Sequence, residues 1–204
     1  MVSVKLLESD RLIASKINKA FAKEVDKNTK KNIPQLKGKI SSIVSSALYR
    51  SPEIQSLSGG LLMADFGLTS DPSSSVVSSI VSTIDVKTKK ISSSAAKISG
   101  GFTLTMQPID YGNLFSLSVA NQIIDGGAIP WLRWLLTFGD SIIIANYGVE
   151  YGPFGRTARA HMTKESRPFK VNSTFSGTAD NNFITRAVAG VSNEIKKAII
   201  GVMQ

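Results

Sequence analysis

The sequence predicts an α+β fold: long N-terminal helices and a C-terminal helix packed on a small, mostly antiparallel, curved sheet. Three observations lead there. Residues 10–50 and 180–202 carry apolar side chains at three- and four-residue steps, the period of a helix with one buried face. From Val86 onward the pattern shortens to alternation, the period of a strand. Helices at the front, strands in the middle and a helix at the end is the order of a segregated α+β architecture. With 204 residues, 42% of them hydrophobic, the chain can bury a core of its own. No internal repeat or composition break divides it, so it reads as a single domain, 1–204, with a basic helical part (1–50) and a helix-and-sheet body (51–204).

The elements follow in order. Over residues 10–27, Leu12, Ile13, Ile17, Ala20, Phe21 and Val25 make an apolar stripe with lysines opposite, and Ser9 or Asp10 suits the cap. The polar run Asn28-Thr29-Lys30-Lys31 either breaks or continues this helix. Pro34 suits a first helical position, so a second helix is expected to start there, with Leu36, Ile40, Ile43, Val44, Ala47 and Leu48 as its stripe. Pro52 disfavours helical geometry in the residue before it, which ends the helix by Arg50 or Ser51. A short helix then opens at Pro52 and closes at Gly59-Gly60. Asp71-Pro72 opens a Ser-rich helix that carries Val76, Val77, Ile80, Val81 and Ile84 on one side.

Residues 86–91 and 102–106 read as strands joined by a polar loop over 92–101. The alternation of Phe115, Leu117 and Val119 favours extended chain over 113–124, ended by Gly126-Gly127. Residues 130–137 form a short Pro-initiated helix, and the β-branched run 141–147 reads as a buried strand. Residues 156–163 and 169–175 are further strand candidates. The closing helix carries one continuous stripe from Phe183 to Val202, with Asp180 as its cap. The stretch Ala128–Tyr151 is too short and interrupted to span a bilayer, which takes about 20 apolar residues, so it must bury in protein.

Composition narrows the function. There is no cysteine and one histidine, His161, which excludes disulfides, thiolate metal sites and a two-histidine pair within one chain. The first 50 residues hold eleven Lys/Arg against four acids, a local charge of +7 out of the total +9. Lys16, Lys19, Lys23, Lys27, Lys30 and Lys31 are therefore candidates to face DNA; a solvated helix face is the alternative. The N-terminus lacks the apolar core of a secretory signal and no window reaches transmembrane length, so a soluble protein made in the cytoplasm, without membrane contact, is expected.

Reactive constellations are missing. No Gly-x-Ser-x-Gly elbow accompanies His161, Gly59-Gly60 and Gly100-Gly101 lack a phosphate-loop context, and Asp125, Asp140, Glu150, Asp180 and Glu194 are dispersed. No catalytic residue, cofactor or metal site is expected. The candidates for interaction are instead packing residues. Trp131 and Trp134, at i and i+3, share a helix face that belongs to the core, to a subunit interface, or to both. The segment 147–159 mixes aromatics, glycines and arginines, among them Phe154, Arg156 and Arg159. It suits an ordinary loop between strands or a surface that stacks and neutralises single-stranded nucleic acid.

Three stretches together resemble structural proteins of tailed bacteriophages: SPEIQSLSGGLLMADFGLTSDP (51–72), NLFSLSVANQIIDGGAIPWLRWLLTFGDSIII (113–144), and GRTARAHM followed by TFSGTADNNFITRA (within 155–187). More loosely, the likeness reaches the tail-completion, or head–tail connector, proteins. With the intervals between motifs it covers about two-thirds of the chain. The resemblance implies a homo-oligomeric ring in the virion, at the head–tail joint or the top of the tail, as a tail-completion, adaptor or terminator subunit. Its implied neighbours are connector, neck and tail tube or sheath proteins. The basic first helices depart from that pattern. Lining the channel, they would touch DNA without sequence preference; facing outward, they would attract an acidic neighbour. A free nucleic-acid-binding protein using the same lysines is the alternative function, and a hydrolase centred on His161 a lesser third.

Overall fold

The computed structural model describes residues 8–94, 97–108, 110–124, 127–164 and 167–203. Lys5, Asp125 and Gly126, which entered the expectations above, lie outside the described residues. The architecture is α+β, as the periodicities require. The single sheet resolves into three separate two-stranded antiparallel hairpins.

The long axis of the molecule is α1, Asp10–Tyr49, one 40-residue helix where two were expected. Pro34 lies inside it, and the polar run 28–31 continues it. The reason is tertiary. Ala22, Thr29, Leu36, Ile40, Val44, Ala47 and Leu48 are all buried along one stripe, so packing holds the two stretches in register across the proline. Pro34 itself is exposed, which leaves its ring on the solvent side. Ser9 is the cap residue, without a side-chain capping bond.

After the expected stop, Ser51 accepts a hydrogen bond from Ile54 N (3.4 Å) and starts α2, Pro52–Gly59. Gly60 leads straight into α3, Leu61–Asp65. The next helix, α4, is Ser73–Ser82, with Val76, Val77 and Ile80 buried; its cap residue is Pro72 and not Asp71, whose carboxylate accepts from Ser73 N at 2.8 Å one residue before the cap. Strands β1 (Asp85–Ser93) and β2 (Ile98–Thr105) pair with Val86 opposite Leu104, and they extend into the expected loop as far as Ser93 and Ile98.

Residues 113–124 correct the expected extended segment. They form a single turn of helix, α5 (Gly112–Phe115), a 3-10 turn (Ser118–Ala120) and only then β3 (Gln122–Ile124), which pairs with β4 (Gly127–Ile129). Phe115, Leu117 and Val119 are only half-buried, and the buried residues, Leu114 and Ala120, fall outside their alternation, on successive tight turns. The helix α6, Trp131–Thr137, lies where expected. The buried strand expected over 141–147 is irregular chain as far as residue 146, with Ser141 and Ile142 exposed and one bridge from Ile144 to Phe169; Tyr147 already belongs to the next strand. That bridge is also all the strand structure found over 169–175, because neither segment has a further partner. Strands β5 (Tyr147–Tyr151) and β6 (Ala160–Lys164) form the third hairpin, a shorter strand than the expected 156–163.

The C-terminal stripe is split into α7 (Phe183–Gly190) and α8 (Ser192–Met203). The cap is Asn182 and not Asp180: its side chain accepts from Ile184 N (3.1 Å) and Thr185 N, while Asn182 N donates to Thr185 Oγ1 at 2.9 Å. The pair runs back antiparallel along α1. Arg186 meets Glu53 beyond one end, and Asn32 of α1 donates to Val202 O at 2.8 Å near the other. The N-terminal half of α1 is covered chiefly by the β1–β2 hairpin.

Pro34 removes a helical hydrogen bond and Gly38 adds backbone freedom, and both stand on the outside of α1. Pro34→Ala should therefore raise stability by about 1–3 kcal/mol, and Gly38→Ala by up to about 1 kcal/mol. Chemical denaturation followed by circular dichroism measures both. A loss of stability in Pro34→Ala would mean that α1 needs the proline's local geometry.

Candidate interaction surfaces

Two surfaces carry the residues singled out by the sequence. The first is built on α3, α6 and the β5–β6 hairpin. Trp131 is wholly buried, its ring 5.7 Å from Phe66 and its Nε1 donating to Val119 O at 2.7 Å. It is a core residue and presents nothing to a partner. Trp134 is half-buried and meets Phe169 edge to face at 6.1 Å. The two tryptophans therefore clamp α6 between α3 and the chain around Phe169, with Trp134 reaching the surface.

The β5–β6 hairpin is tied to α3 by three side chains. Tyr151 donates to the carboxylate of Asp65, Arg156 Nη2 donates to Gly67 O at 2.8 Å, and Arg159 lies on the sulfur of Met63. Both arginines are thus turned toward the body, where they anchor the loop. Gly155, with φ +66°, makes the loop possible, since a side chain there would strike Ala160 O. Phe154 is 43% exposed and packs edge-on against His161 at 5.0 Å. His161 sits opposite Glu150 in the strand register, Nε2 3.8 Å from the carboxylate. Tyr147, Tyr151, Phe154 and Met162 leave an apolar rim on the hairpin, and Ile123 and Ile124 do the same on β3.

The second surface is the outer flank of α1. Lys16, Lys19, Lys23, Lys27, Lys30 and Lys31 are all exposed. At about 100° per residue they fall within an arc of about 120°. Lys16 pairs with Glu8, and Lys30 with Asp26 at 2.7 Å. Lys19, Lys23, Lys27 and Lys31 have no ion pair among the described residues. Asp26 also accepts from Ile91 N of β1 at 3.0 Å. The hydrogen bonds from Lys30 and Ile91, helped by the charges of Lys30 and Lys90, hold its carboxyl below the usual range.

Several positions gave no local signal. Glu53, its side chain 3% exposed, is bonded to Arg186 at 2.6 Å across 133 residues. Asp65 and Tyr151 meet across 86 residues. Tyr111 donates to Ala179 O at 2.7 Å and accepts from Asn182, joining α5 to the α7 cap. Among the described residues, no group of three or more His, Asp or Glu side chains is placed to hold a metal ion, and no helix is long and apolar enough to cross a membrane. No family model, curated protein or solved structure matches the chain.

Two predictions follow from these ties. Desolvation, and then the bond to Asp65, push the Tyr151 hydroxyl above its ordinary value of 10.0. The unfolded chain ionises there first, so the folded state loses stability as pH rises past about 10. Tyr151→Phe should flatten that part of the stability–pH curve between pH 9 and 11, read by thermal melting; an unchanged slope would refute the Asp65–Tyr151 anchor. Arg186→Met leaves the Glu53 carboxylate buried without its partner. It should destabilise by about 2–3 kcal/mol, less than a fully buried pair because Arg186 is partly in water, and the double variant with Glu53→Met should recover part of that.

Proposed function

We propose that this chain is a structural subunit of a tailed-phage virion, at the head–tail joint or the top of the tail, where it assembles as a ring and holds neighbouring rings together. The observation that carries this is the distribution of exposed apolar side chains. Ile123 is 70% exposed on β3, Ile142 61% on the chain after α6, and Tyr147, Tyr151, Phe154 and Met162 crowd the third hairpin. Neither thin hairpin packs extensively on another element, so these side chains are free to be covered by a neighbour.

The resembling stretches add support because they converge. Phe66 of the first touches Trp131 of the second, Arg156 of the third bonds Gly67 of the first, and Gly139 N donates to Gly177 O at 2.9 Å between the second and third. The resembling stretches thus meet in one scaffold, and the second of them carries the β3–β4 hairpin. Ring formation would use Trp134, Phe154 and the hairpin rims; Trp131 would support them from beneath.

The test is direct. Mass spectrometry of purified particles of the encoding phage should find the chain, and light scattering should find it oligomeric, alone or with an adjoining virion protein. Ile123→Asp should change the melting temperature little, since the side chain is already in water, while weakening assembly at least tenfold. Absence of the chain from the particles would overturn the proposal.

A further inference from the structure

The basic flank of α1 does not stand alone. Asp26, on the edge of that flank, receives Lys30 Nζ and the backbone N–H of Ile91, and Lys90 of β1 acts on the same carboxylate. The hairpin is thereby pinned beside the lysine stripe, and β1 adds positive charge to it. From Lys16 to Lys31 the stripe is straight and about 22 Å long at 1.5 Å per residue, about two-thirds of a duplex turn.

We propose that this composite track, the exposed lysines of α1 continued by Lys90 of β1, binds the phosphate backbone of a nucleic-acid duplex without reading its sequence. The inference goes beyond the assembly role and holds whether or not the chain is a virion subunit. The chemistry favours phosphate backbone over other polyanions. The stripe is made of lysine point charges with no arginine forks, which suits a dense row of phosphates more than discrete carboxylates. No aromatic residue lies within it: Phe21, the nearest, is turned about 140° from Lys16, so bases of a single strand have nothing to stack on. A membrane-surface helix would need a broad apolar face beside its lysines. Here the apolar stripe from Ala22 onward is buried, and of the three exposed large apolar residues before it, Leu12 is turned about 140° from Ile17, so they form no broad face. Three acids border the stripe: Glu8 meets Lys16 at its start, Asp26 is taken up by Lys30 and Ile91, and Glu24 lies about 20° beyond the other edge, so the six lysines and Lys90 still leave the track strongly positive.

Fluorescence anisotropy with a labelled 30-base-pair duplex of arbitrary sequence, over a sodium chloride series, tests this on the full chain. The wild type should bind with an affinity that falls linearly with salt on logarithmic axes. The triple variant Lys19→Gln, Lys23→Gln, Lys27→Gln should lower the slope by about 2–3 and weaken binding at least tenfold at low salt. Lys90→Gln should lower the slope by about 1. A control that removes two lysine charges off the track, Lys164→Gln with Lys170→Gln, should leave the slope unchanged. All these side chains are exposed, and melting curves confirm that each variant folds. The proposal is overturned if the wild type shows no salt-dependent binding, if the control weakens binding as much as the track variants, or if poly-glutamate or vesicles with 30 mol% phosphatidylserine, taken at about that anionic content to mimic an acidic leaflet, bind more tightly than the duplex. A Lys90→Gln variant with the wild-type slope would remove the hairpin from the track.

Discussion

Most of this molecule answers one constraint: a helix of 40 residues, about 60 Å long, has to bury a stripe from Ala22 to Leu48, while Leu12, Ile17, Ala20 and Phe21 of the stripe expected over 10–27 stay exposed. No single element can cover it. The C-terminal half is closed by α4, α7 and α8, which bury Leu36, Ile40, Val44 and Leu48. The N-terminal half receives the β1–β2 hairpin, fastened through Asp26 and Asn18. The continuity of α1 through Pro34 is a consequence, because burying four large aliphatic side chains at about 1.5–3 kcal/mol each outweighs one lost hydrogen bond.

The second half of the chain is organised differently. Between Thr105 and Asn182 there is little regular structure, and a few long-range ties do the work that helix stripes do elsewhere. Trp131 seats α6 on Phe66, Tyr111 and Asn182 join α5 to the last helices, and Gly177 lets the backbone approach so closely that a side chain there would meet Asn182 Cβ at 2.6 Å. A segment held at few points leaves its hairpins projecting, with hydrophobic rims on them. That is the physical link between the irregular middle of the chain and the assembly role proposed above.

The two proposed surfaces draw on different elements. The lysine stripe lies on α1 and reaches β1, while Tyr147, Tyr151 and Phe154 are exposed on the third hairpin; Phe21 and Tyr49 are exposed on α1 as well. The proposed contacts with a polyanion and with protein neighbours would therefore use different side chains.

The local rules in the sequence determined the fold class, the stops at Arg50 and Gly59, the helix after Pro130 and the exposed lysine face, because each depends on residues within a turn or two of one another. Where local rules conflicted, tertiary packing decided. It carried α1 through Pro34, turned the Phe115–Val119 alternation into tight turns, left residues 141–146 with a single bridge in place of a strand and split the last helix at Gly190. The ties between Asp65 and Tyr151, Glu53 and Arg186, and Asp26 and Ile91 join residues between 65 and 133 positions apart, and no periodicity or motif encodes such a meeting. Only the folded chain brings them together, because burial selects which distant polar groups must satisfy one another.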